Sequence, residues 1–203
     1  MENVSLTAEE RALVGNAGWI YLKNNVLEKV VLLMGQLHEA LRAAPATHTF
    51  PFPAGMLEAG GKISRGERYR ELPYVILDYP RLFSRDNIFA FRTMFWWGHY
   101  FIATLHLAGE EKEKYGHAIA SAWQLLAENQ FQVYLLEDPW QHDFEDGNYK
   151  LISAFSELEF KQLVARCSFI KLARPYSFEE WGKIVPEIVR DYTLLLRALI
   201  SIS

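Results

Sequence analysis

The sequence predicts an α+β protein built on a mostly antiparallel central sheet, and three observations carry that expectation. Segments rich in aromatic and β-branched residues cluster between Ile63 and Leu107. Helical periodicity occupies the chain on either side of them. Two of the strand-like segments, Ile88 to Phe95 and Tyr100 to Leu107, are separated only by Trp96-Trp97-Gly98-His99, which reads as a hairpin turn. Strands grouped in the middle with helices outside them favour antiparallel pairing. A length of 203 residues lies nearer one domain than two and buries a core without a metal or disulfide staple. The chain therefore reads as one domain over 1–203, with a helical segment 1–44, a sheet core 62–109 and mixed helix and strand over 110–203.

Taken in order, Thr7 to Glu10 fits a capping box that opens a first helix. Gly15-Asn16-Ala17-Gly18 should break or bend it. A longer helix follows to about Ala44 with Leu27, Val30, Met34, Leu37 and Leu41 on one stripe, and Pro45 ends it. Residues 45–61 read as an irregular connection, and the Gly60-Gly61 pair as a turn into the first strand. Tyr74 to Tyr79 reads as a strand bounded by Pro73 and Pro80. A two-residue loop at Trp97-Gly98 would pair Trp96 with His99, Arg92 with Ala103 and Phe89 with His106; a three-residue loop would shift every partner. Both faces of this hairpin are apolar, which places it in mid-sheet. Glu110 to Asn129 returns to helix, and about 131–136 reads as a strand before the acidic loop Glu137 to Asn148. Ser156 to Glu159 caps a helix ending near Cys167, and 169–173 alternates like a short strand. Ser177 to Glu180 caps a last helix in which Pro186 should forfeit the bond to Gly182 and make a kink.

Composition excludes several classes. A net charge of −4 is too mild for a dedicated nucleic-acid or membrane-surface protein. The uncharged stretch Thr93 to Gly109 falls short of the ~20 residues of a membrane span and reads as buried. The chain opens Met1-Glu2-Asn3 without a secretory pattern, so a cytoplasmic protein is expected. One cysteine, Cys167, permits neither an internal disulfide nor a CxxC site, and it reads as inert core. The marked departure is an aromatic content of 14%.

No motif names a reaction. Gly55 to Lys62 resembles a phosphate loop but has five residues before Gly61-Lys62 where that loop has four, and Ile63 stands where a hydroxyl would ligate magnesium. The loop from His142 to Asn148, with Asp143, Glu145 and Asp146, lacks the alternating spacing of a calcium loop. No metal site and no cofactor are read. Arg65, Arg68, Arg70, Arg81, Arg85 and Arg92 crowd one part of the chain, interleaved with Tyr69, Tyr74 and Tyr79. Such a grouping either recognises an anionic, partly planar ligand or forms a charged sheet edge paired with Glu67, Glu71, Asp78 and Asp86.

Arg92 and Asp78 each interrupt an apolar strand, so they are each other's natural partners. The candidate ligand-binding residues are Arg92, Asp78, Trp96, Trp97, Tyr100 and Tyr74. His99 and His106 are an odd number of residues apart and face opposite sides of a regular strand. The favoured reading is a binding domain for a small anionic or aromatic ligand in an aromatic and Arg-rich pocket. One alternative is a hydrolase using Asp78 with His99 or His106. Another is a homodimeric interaction protein. Membrane and nucleic-acid partners are not expected.

Overall fold

Thr7 and Glu10 satisfy each other's backbone donors and open α1 (Ala8–Val14). Asn16 then caps α2 (Ala17–Ala43), so the glycine-rich break falls between two helices and Gly18 lies inside the second. The computed structural model describes residues 4–145 and 147–200. The connection expected to be irregular contains a short helix, α3 (Pro45–Thr49), because Pro45 is suited to a first helical position. The chain then enters β1 (Lys62–Tyr69), β2 (Leu72–Phe83), β3 (Ile88–Trp96) and β4 (Tyr100–Ala108). Helices α4 (Glu110–Ser121) and α5 (Trp123–Glu128) replace the single helix read there, and the division falls at Ala122. After β5 (Gln132–Tyr134) come β6 (Tyr149–Leu151), α6 (Glu157–Arg166), β7 (Phe169–Tyr176) and α7 (Ile184–Ile200). The third capping box opens a 3-10 segment, Phe178–Lys183, rather than α7. Pro186 consequently stands in the first turn of α7, where its missing N–H costs no bond, and the kink expected there is not required.

The seven strands form one antiparallel sheet in the order β1-β2-β3-β4-β7-β5-β6, with helices packed on it, so the fold is α+β as expected. One sequence expectation about the strands is corrected, and one open alternative is decided. β2 runs through both prolines, with a register shift between Asp78 and Arg81 absorbing the second. The β3–β4 turn holds three residues, Trp97-Gly98-His99, with Gly98 at φ 77°. Trp96 therefore faces Tyr100, Arg92 faces Thr104 and Phe89 faces Leu107. The left-handed conformation that Gly98 supplies is what the longer loop needs, and the extra residue shifts every pair.

The two faces of the sheet are covered differently. Phe89, Phe91 and Phe95 of β3 join Leu105 and Leu107 of β4 in a core shared with the stripe residues Val30, Met34 and Leu37 of α2 and with Ile188, Tyr192 and Leu195 of α7. Each of these side chains is worth roughly 1.5–3 kcal/mol when fully buried. On that side Asp191 of α7 is wholly buried and takes Arg174 Nη1 at 2.8 Å and the Tyr176 hydroxyl at 2.6 Å, tying α7 to β7. Helices cover that face. The other face carries Asp78, Arg92, Thr104, His106 and Lys171, and Pro139, Gln141, His142 and Phe144 of the loop between β5 and β6 lie against it.

Candidate functional site

The strand register lines polar residues up across this second face. Asp78, Arg92 and Thr104 are consecutive partners across β2, β3 and β4. One row along, Ala90, His106 and Lys171 are partners across β3, β4 and β7. Arg92 gives Nε to Asp78 Oδ1 at 2.7 Å and Nη2 to Oδ2 at 3.0 Å, the bidentate pair anticipated from the two interrupted strands. Its Nη1 meets Nε2 of His142 at 2.9 Å. Guanidinium only donates, so Nε2 of His142 is the acceptor and the ring proton resides on Nδ1. That buried Nδ1 has no hydrogen-bond partner among the described residues.

Lys171 is 1% exposed and donates to the carbonyls of Pro139, at 2.9 Å, and Gln141. Its ammonium also lies 4.4 Å from the centre of the Tyr134 ring. Among the described residues no carboxylate forms an ion pair with it. Burial, followed by the Arg92 charge, pushes its pKa down to about 7. Burial likewise depresses His106 to about 3, with help from Lys171 and Arg92, so its imidazole is neutral at physiological pH. Nε2 of His106 also has no hydrogen-bond partner among the described residues. Phe83, Ala90, Arg92, Thr104, His106, His142 and Lys171 enclose a cavity of about 10 Å³, the room of a single water-sized group.

The loop is latched from the β1–β2 hairpin and from β4. Tyr69 Oη accepts from the His142 N–H at 2.6 Å and donates to Asp143 Oδ2 at 2.5 Å. Arg70 Nε stands 3.1 Å from the same Oδ2, and Asp143 is completely buried. Tyr100 Oη accepts from the Phe144 N–H at 3.0 Å. Arg70 and Glu71 form the hairpin turn with φ values of 46° and 64°, a left-handed pair without glycine or asparagine. Asp146, one of the acids noted in this loop, lies outside the described residues.

Five of the six residues singled out from sequence share this face. Asp78 and Arg92 are its centre, and Tyr100 is a latch. Trp96 is buried, stacked on His99 at a centroid distance of 3.5 Å, and its indole donates to the Tyr69 carbonyl at 3.1 Å. Tyr74 lies on β2 against Gly66 of the edge strand β1, where an added Cβ would come within 2.6 Å of its ring. Trp97 is on the helix-covered face beside Phe95. The walls of the cavity are thus Phe83, His106, His142 and Lys171 rather than Trp96, Trp97 and Tyr100. Both Asp78 oxygens are held by Arg92, and no hydrogen bond links Asp78 to His99 or His106 among the described residues. The arginine-rich segment is partly a paired edge, as Arg81 donates to the carbonyls of Gly60 and Ala59.

Lys171, His142, Tyr69 and Asp143 were not identified as site residues from sequence. For Lys171 the signal was available, since it interrupts the apolar run Phe169 to Ala173 just as Arg92 interrupts its own strand. Among the described residues no three His, Cys, Asp or Glu side chains converge as a metal ion requires. No helix among them is long and apolar enough to cross a membrane. The chain matches no family model and no curated protein sequence.

Proposed function

We propose that this protein binds a small anionic ligand between the β5–β6 loop and the sheet, at Arg92, His106, His142 and Lys171. The observation that carries the reading is a surplus of unpaired polarity around one cavity. Among the described residues a buried ammonium lacks a carboxylate, and two buried imidazole nitrogens lack partners. Buried polar groups left unmatched are costly, and a small anion offers an acceptor to the Lys171 ammonium and to the His142 Nδ1–H. Arg92 supplies a fixed positive charge, and bound anion would raise the Lys171 pKa by favouring its charged form. In the closed arrangement only a water-sized group fits, so a polyatomic ligand enters with the loop displaced and the Tyr69 and Tyr100 bonds released.

A melting-temperature screen with halides, phosphate and short carboxylates tests this. A ligand at a hundred times its dissociation constant adds about 2.7 kcal/mol, which raises the melting point by several degrees. The shift is expected to vanish in Lys171→Met and in Arg92→Met while both variants remain folded. A panel without any stabilising anion, or a shift retained in both variants, refutes the proposal.

A further inference from the structure

The N-terminal arm has no core to bury. α1 contains no buried residue, and α2 is first buried at Leu27. Leu13, Val14, Trp19, Ile20, Tyr21 and Leu22 are between 43% and 76% exposed. Four of them are consecutive and so surround the helix, a pattern that belongs inside a protein interface or a bilayer. From Ala8, where α1 begins, to Leu22 the charged residues are Glu9, Glu10 and Arg11, whereas helices that lie on membranes carry a Lys- and Arg-rich face. The arm's charge therefore points to protein.

The neighbouring surface says which protein. Lys23 Nζ meets Glu67 Oε2 at 2.5 Å, so the arm runs beside β1, the strand at one edge of the sheet. Asn24, Leu27 and Glu28 border an open groove of about 470 Å³ with Arg65, Gly66 and Glu67. An edge strand leaves a row of backbone donors and acceptors unpaired, and charged side chains there reject arbitrary strands. Here the signs are self-complementary. If two β1 strands pair antiparallel about an axis at Gly66, Arg65 of each copy comes near Glu67 of the other, twice over, with the register shift that follows Gly66 lying at the centre of the junction. Six apolar side chains at roughly 100 Å² each, with the edge strand beside them, approach the ~800 Å² per partner of a standard interface.

We infer that this surface fits a second copy of the same chain, joined edge to edge through β1, with the α1–α2 arms closing over the junction. Sedimentation equilibrium of the full chain is expected to give a dimer, and a monomer at every concentration overturns the inference. Val14→Asp with Leu22→Glu changes two exposed positions, so it should yield a monomer with unaltered circular dichroism; a dimer that persists removes the arm from the interface. Arg65→Glu is expected to raise the dimer dissociation constant about tenfold, and adding Glu67→Arg to restore it. Equal affinity in all three proteins overturns the register. Binding of the wild-type monomer to phosphatidylserine vesicles, lost in the arm variant, would assign the surface to a bilayer and overturn the proposal.

Discussion

The buried amine of Lys171 is expected to make the stability of this protein rise with pH above neutrality. In the unfolded chain its amine titrates at the ordinary lysine value of 10.5; burial brings it to about 7 in the folded state. Between those values the unfolded chain carries one more proton at this site, so stability rises with pH across that window. Below pH 7 both states are protonated and the contribution is constant. One proton corresponds to about 1.36 kcal/mol per pH unit, so two units contribute about 3 kcal/mol. Lys171→Met removes the proton and leaves the Pro139 and Gln141 carbonyls without their donor, a cost independent of pH. Urea unfolding of both proteins at pH 7.5, 8.5 and 9.5 isolates the term, since every other titrating group is shared and cancels in the difference. The wild type should gain about 3 kcal/mol on the variant across the series. Parallel stability curves would show that the amine is not held in its neutral-favouring environment, and the account of the site would fail with it.

Three further outcomes are expected. Asp78→Ala strands the Arg92 guanidinium, which is 16% exposed, and should cost about 3 kcal/mol in denaturant unfolding. Replacing both residues by apolar ones should recover part of that, whereas additive losses in the cycle would show that the pair is not coupled. Tyr69→Phe removes the hydroxyl that receives the His142 N–H and should lower stability by about 2 kcal/mol. Deuterium exchange should then quicken over 135–145 and stay unchanged in β3 and β4; acceleration spread evenly over the sheet would contradict the latch. In the wild type the β3 and β4 amides should exchange near the limit of global unfolding, and fast exchange across both would displace them from the centre of the fold.

What the sequence revealed and what it concealed divide along local and non-local lines. Thr7–Glu10 and Ser156–Glu159 are three residues apart, and both capping boxes form as read. The Asp78–Arg92 pair was legible because each residue breaks an apolar strand and charge inside a sheet demands a partner. Hairpin register turned on whether His99 belongs to the turn, a difference of one residue that no local propensity decides. Pro80 concealed the length of β2, because a register shift lets an edge-proximal strand carry a residue without an N–H. The sequence shows the loop only as acidic, whereas Asp143 within it is buried; its partners Tyr69 and Arg70 lie more than seventy residues away along the chain. Asp191 was hidden in the same way, within the apolar stripe of α7, by partners on β7.

The Arg70-Glu71 turn has a consequence for anyone seeking to harden this protein. Asparagine and glycine adopt its left-handed geometry with ease, so Arg70→Asn with Glu71→Gly would relieve backbone strain of about 1–3 kcal/mol per residue. The same exchange discards the guanidinium that holds Asp143. Optimising the hairpin for its own sake would therefore yield a tighter corner and a looser cover over Arg92 and Lys171. Asp143 is wholly buried, so the strain relieved at the corner is set against the cost of a buried carboxylate that has lost its guanidinium.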